Sequence, residues 1–351
     1  MSDVDNTRKD RTLLVFNCHE PWVYQLGVLG YSLDIVVGLP GRYSSGWDQR
    51  MRPVPANARL ITARQALESP TRYYCMIVHN TTDLLDVRTR PEPRILVLHH
   101  SLEGRLEEEG PGCDPERMKD MLHTYIELVG GHVVATSMFK GESWGFTDDI
   151  VHFGIDVDDY LPYSGERAAG LRICNFISSR RRILDWDFHE KAFDGIPVTL
   201  VGHNPDLPGV EAAQDWQHLK RILRSHRFYI HTADPRFEAG YNMATAEAMA
   251  AGLPVLGNRH PTSLVKHGVS GFLSDNPREL QHYARTLLHD RDLATLMGQK
   301  ARQTVAERFS PLRFKHAFTR SIEVSRRKWY TRKIEPSSAQ TSLSQAATTT
   351  A

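Results

Sequence analysis

The stretch "FEAGYNMATAEAMAAGLPVLG", Phe237–Gly257, decides how this chain is read. It follows "RFYIHT", an apolar run with the look of a buried strand, and passes through a loop into a helix. Asn242 is a natural N-cap, Gly252 a natural stop, and Pro254 stands just beyond. The small residues of "MATAEAMAA" let that helix lie close on a sheet. Its first turn presents unpaired N–H groups and a partial positive charge, which suit a phosphate. Glu247, a turn and a half into the helix, can accept two hydroxyl hydrogen bonds, as a ribose diol offers. Glu238 sits in the loop before it. The bland alternative is a pair of surface carboxylates around a packing helix.

Upstream and downstream the same alternation repeats. "TLLVFNC", "LDIVVG", "YCMIVHN", "RILVLHH" and "HVVAT" are apolar, β-branched runs separated by helical segments, and a helix begins near Pro21. After the turn-rich "IVHFGIDVDDYLPYSGE" the series restarts with "LRICNFI", "PVTLVG", "RFYIHT" and "PVLGN". Strands alternating with helices predict parallel sheets covered on both faces, with ligands at the strands' carboxyl ends. Those ends carry Asn17–His19, His79–Asn80 and His99–His100. Two Rossmann-like α/β domains are therefore expected, residues 1–160 and 161–310, with a cleft between them. A helix over 311–332, apolar at Phe314, Phe318 and Ile322, closes the chain against one of the two. The tail 335–351 has no apolar period and is expected to be disordered.

Composition narrows the function. In 351 residues, 43 Lys and Arg face 42 Asp and Glu, so no overall field marks a nucleic-acid binder. "SRRR" (Ser179–Arg182) lacks interleaved aromatics and is a weak nucleic-acid signal. No apolar run approaches the roughly 20 residues of a membrane span. The polar N-terminus lacks a secretory apolar segment. The expected place is the cytoplasm, free or against the inner face of a membrane. Cys18, Cys75, Cys113 and Cys174 show no Cys-x-x-Cys spacing and read as buried free thiols. His132, His152, His189, His203 and His226 lack metal-ligand spacing, and "LEEEGPG" (Leu106–Gly112) reads as a solvated loop, or as the border of the cleft. Trp186 and Trp216 read as packing residues.

"FEAGYNMATAEAMAAGLPVLGN" followed by "HGVSGFL" (His267–Leu273) resembles the donor site of the family 4 retaining glycosyltransferases, enzymes of the GT-B fold. That family carries a Glu-x7-Glu signature, a Gly-x-Pro-Val strand and a His-Gly-x-x-Gly turn. "RILVLHHSLEG" is similar to the strand ending in the family's catalytic-region histidine. "VVATSMFKGESWGF" resembles its Ser-x-x-x-Lys segment, and "VHFGIDVDDYLP" its interdomain linker. The resemblance covers roughly residues 94 to 330. Three departures stand out: eight residues, not seven, separate the glutamates, so Glu238 or Ala239 takes the first position. Arg180, Arg181 and Arg182 replace an Arg…Lys pair, and the segment between Gly202 and Phe228 is short enough to lack a strand-helix unit.

The resemblance implies a retaining transfer of a sugar from a nucleotide-diphosphate donor to an acceptor hydroxyl. It implies no cofactor and no bound metal, and no Asp-x-Asp motif is arranged for one. Arg181 or Arg182, with the helix starting at Asn242 and Met243, would meet the diphosphate. Glu247 would hold the ribose, and Glu238 with the Gly240 and Tyr241 backbone the sugar. His100, or His99, would face the scissile bond. Rival readings are a GT-B epimerase or phosphorylase, and a glycosyltransferase-like subunit without turnover. Acceptor, donor base and sugar are left open.

Overall fold

The structure is a computed structural model that describes residues 11–39, 46–110 and 112–334, with side chains through 332. The expected tail and N-terminal character lie outside those residues. The first sheet contains β1 (Thr12–Phe16), β2 (Ser32–Val37), β3 (Ala58–Thr62), β4 (Cys75–Val78), β5 (Arg94–Leu98) and β6 (His132–Ala135). Its order is β3-β2-β1-β4-β5-β6 and every pairing is parallel. The second contains β7 (Arg167–Ile173), β8 (Val198–Val201), β9 (His226–Ile230), β10 (Val255–Gly257) and β11 (Gly271–Leu273). Its order is β11-β10-β9-β7-β8, again parallel throughout. Both are doubly wound orders, with switch points between β1 and β4 and between β7 and β9.

The central strands are apolar on both faces because helices cover both; β4 and β9 are buried along their whole length. Two strands escape the sequence reading. β3, "ARLIT", is an edge strand with only Ile61 buried. β11 is three residues long. β7 starts four residues before the expected "LRICNFI" run and stops at Ile173, after which the chain turns through Phe176 at a φ of 54°. Between Gly202 and β9 the structure holds one helix, Trp216–Ser225, and no further strand. β8 is therefore an edge.

One apolar cluster runs through both halves. Val15, Ile77 and Val97 of the first sheet join the linker residues Phe153, Ile155 and Tyr160, then Leu171, Tyr241 and Val255. Phe153 stacks on Phe309 at 5.1 Å, and Tyr241 meets both rings edge-on. The last helix, Pro311–Ile334, lies on the first sheet: Phe314, Phe318 and Ile322 are buried, Ser325 donates to the Arg94 carbonyl (3.1 Å), and Arg326 to the Tyr74 carbonyl (2.7 Å). The four cysteines are free; Cys75 is buried, whereas Cys113 is exposed.

Candidate active site

The carboxyl ends of the two sheets meet across a narrow seam. Ser101 caps the helix Leu102–Glu109 by accepting from Gly104 N–H (3.0 Å), and its hydroxyl donates to the Phe237 carbonyl in the other domain. A Cβ on Gly104 would run into that same carbonyl, so only glycine permits the approach. From this helix Glu107 pairs with Arg182 at 2.7 Å and Glu108 with Arg180 at 3.0 Å.

Glu238 sits at the centre of the seam. Phe237 and Glu238 both donate their N–H to the Asp234 carbonyl (3.0 and 3.1 Å), a tight turn that leads into the seam. The Glu238 carboxylate accepts from Ala239 N–H at 2.8 Å, with Lys140 Nζ at 3.7 Å and Arg180 Nη2 at 4.0 Å. Lys140 comes from the helix Met138–Trp144, capped by Ser137. Burial alone would raise the Glu238 carboxyl; Lys140, His100, the Ala239 N–H and Arg180 outweigh it and hold the group below its ordinary value. His100 stands in the same field. Desolvation lowers its imidazole, Glu108 and Glu238 pull it back up, and Lys140 and Arg180 push it down. Ala239 is buried, and its methyl side chain brings no charge to the seam.

The neighbouring candidates divide. His99 turns away from Glu238 towards His79, Nε2 to Nδ1 at 2.9 Å, so the imidazole facing Glu238 is that of His100. Arg181 is held on its own side by Asp187 (2.6 Å) and Glu190 (2.7 Å), half exposed. Arg182 is bound to Glu107 and lies over the Phe237 ring. The guanidinium that reaches Glu238 belongs to Arg180. Three consecutive arginines on one run of turn point in three directions, and only the turn over residues 177–185 decides which one enters the cleft.

Glu247 is sealed. Its Oε1 receives Arg52 Nη2 at 2.6 Å, an ion pair across the two domains with both side chains about nine-tenths or more buried. The Arg52 guanidinium lies flat on Trp216, 3.3 Å from the ring centroid, and Trp216 N–H donates to the Arg50 carbonyl (2.9 Å). Tyr160 of the linker meets Trp216 edge-on at 5.5 Å. Burial pushes the Glu247 carboxyl up, with Arg52 and Tyr160 opposing. The carboxylate assigned to a ribose thus already has a cationic partner. Nothing in "WDQRMRP" announces Arg52.

The remaining candidates build the turn. Gly240 donates its N–H to Thr262 Oγ1 (2.8 Å), and a Cβ there would strike the His260 ring. Asn242 caps the helix Met243–Ala250, its Oδ1 accepting from Thr245 N–H at 2.9 Å. Tyr241 is buried, its hydroxyl 3.2 Å from His152 Nδ1 in the linker. Met243 is half-buried at the helix start. His231 lies between the two glutamates: Nδ1 is 3.0 Å from Thr245 Oγ1 and Nε2 is 3.4 Å from the Ala239 carbonyl.

Two Rossmann-like domains meeting along one cleft, with charged groups contributed by both, are the GT-B fold. Residues 195–290 match the family described as glycosyl transferases group 1. No curated protein matches the chain in sequence. Among solved structures, HepE of Anabaena, crystallised with UDP and glucose, is 14% identical with a TM-score of 0.64 over 89% of this chain and 99% of its own. Sucrose-phosphate synthase of Thermosynechococcus elongatus is 13% identical, TM-score 0.64, over 88% and 98%. TarM, known from S. aureus, is 13% identical with a TM-score of 0.55 over 71% of this chain. The chain spans 54% of TarM's length. No helix among the described residues is long and apolar enough to cross a membrane.

Proposed function

We propose that the protein is a retaining glycosyltransferase that moves a sugar from a nucleotide-diphosphate donor to an acceptor hydroxyl. The observation that carries this reading is the convergence of Glu238, Arg180, Lys140 and His100 from both domains on one point of the cleft. Negative charge grows on the leaving diphosphate as the glycosidic bond breaks. Lys140 and Arg180 are the cations aimed at that position, and the Asn242-capped helix adds its N-terminal partial charge. With that positive charge supplied by side chains, the donor diphosphate needs no bound cation. Glu238 accepts hydroxyls of the transferred sugar, and His100 donates to the sugar near the scissile bond. Glu247 receives the ribose diol once Arg52 withdraws. HepE crystallised with UDP-glucose makes a UDP-hexose the first donor to try.

A second reading is a glycosyltransferase-like subunit without turnover, favoured by the Arg52–Glu247 pair that fills the ribose position. Slow hydrolysis of nucleotide-sugars without acceptor separates the two, together with thermal shifts in UDP, GDP, ADP and TDP. Hydrolysis with a stabilising shift from one nucleotide supports the enzyme. Neither effect with any of the four ends that reading.

A further inference from the structure

We propose that Cys18, His79 and His99 form a binding site for one divalent transition-metal ion of the zinc type. The three residues follow the ends of β1, β4 and β5, which lie side by side in the sheet, so the fold itself gathers them. His79 Nδ1 lies 2.9 Å from His99 Nε2, Cys18 Sγ lies 3.9 Å from that same Nε2, and all three donor atoms fall within 4.8 Å of one another. Zinc bonds of about 2.0–2.3 Å put tetrahedral ligand atoms roughly 3.3–3.8 Å apart. The observed spacings lie on both sides of that range, within reach of small side-chain rotations.

The surroundings fit a cation. Trp22 packs its ring edge-on against both imidazoles, at 4.8 Å from His79 and 5.0 Å from His99, and fixes their planes. Asp83 is buried beside them, its carboxylate accepting from the His79 backbone N–H at 3.1 Å. Asp83 thus places one carboxylate in the pocket, and Cys18 brings a thiol. A dication with the thiolate bound balances that charge; the thiol proton leaves to solvent, the proton held between His79 Nδ1 and His99 Nε2 moves to the outer nitrogen of its own ring, and no electron moves. Cys18 and His99 are half-buried and His79 is buried, so three ligands leave one open position on the exposed side. A soft thiolate with two imidazoles selects zinc or cobalt over magnesium.

The test uses the full chain, stripped with chelator and titrated with Co²⁺ alone, and reads metal rather than sugar transfer. One equivalent should give a thiolate-to-cobalt charge-transfer band that Zn²⁺ abolishes. Cys18→Ser should remove that band, His79→Gln should weaken Co²⁺ binding by at least about tenfold, and Cys113→Ser should change neither. Circular dichroism checks that each variant folds. In the unaltered chain, Zn²⁺ should protect Cys18 from alkylation, located by peptide mass spectrometry; this readout stands even if a variant does not fold. No charge-transfer band, or Cys18 alkylated equally fast in saturating Zn²⁺, overturns the site.

Discussion

Glu238 and Glu247 stand in one short stretch, yet their surroundings are opposite. Glu238 faces two cations at 3.7 and 4.0 Å, longer than a tight ion pair, and its carboxyl is held below the ordinary value. Glu247 has one cation at 2.6 Å, an aromatic lid above it, and a carboxyl that burial raises. Loose partners leave room for a sugar to enter between charges; a tight partner must first be displaced. One glutamate is poised and the other is latched.

Breaking the latch should give the largest effect. Arg52→Met leaves Glu247 buried without its cation and should cost roughly 3–5 kcal/mol of stability, while Arg52→Met with Glu247→Leu should recover most of it. Denaturant unfolding of both variants checks this, and an unchanged midpoint for the single variant would show the latch to be open in solution. On the poised side, Arg180→Met should lower turnover by about 10²–10³ with a smaller change in the donor KM. Arg181→Met should change either only slightly. Steady-state kinetics with a UDP-hexose decide, and the opposite ranking would return the diphosphate to Arg181.

His231 sits between the Thr245 hydroxyl and the Ala239 carbonyl, and burial lowers its imidazole from 6.5 to about 4. The unfolded chain therefore takes up this proton first, and stability should fall as pH drops from about 6.5 towards 4, by up to about 3 kcal/mol. The His231→Gln variant should show a flatter melting-temperature profile across that window; an identical profile would exclude His231 as its source. The smallest effect concerns Glu247→Gln, which should weaken donor binding by about 1.5–3 kcal/mol. Calorimetry with the nucleotide measures it, and unchanged affinity would confine Glu247 to the latch.

The architecture was legible because strands buried on both faces read as continuous apolar runs, as "CMIV" and "RILVL" do. β3 and β11 were not, since an edge strand and a three-residue strand carry too little periodicity. The glutamates stood out through their helix signals. Arg52 did not, because its partner lies 195 residues away. The choice among Arg180, Arg181 and Arg182 was closed to sequence for another reason: identical side chains differ only in the direction a turn gives them. Cys18, His79 and His99 each follow a strand's last apolar residues, but their meeting depends on strand order.

The final helix leaves the second domain and returns to roof the first sheet, burying Phe318 and Ile322 beside β4, β5 and β6. During synthesis the first sheet is complete long before that roof exists. The second domain has all its residues, and can mature, while its predecessor still shows an unroofed apolar face. The half made first is therefore finished last, and a ribosome that stops near residue 300 would release a chain with its older domain unsealed.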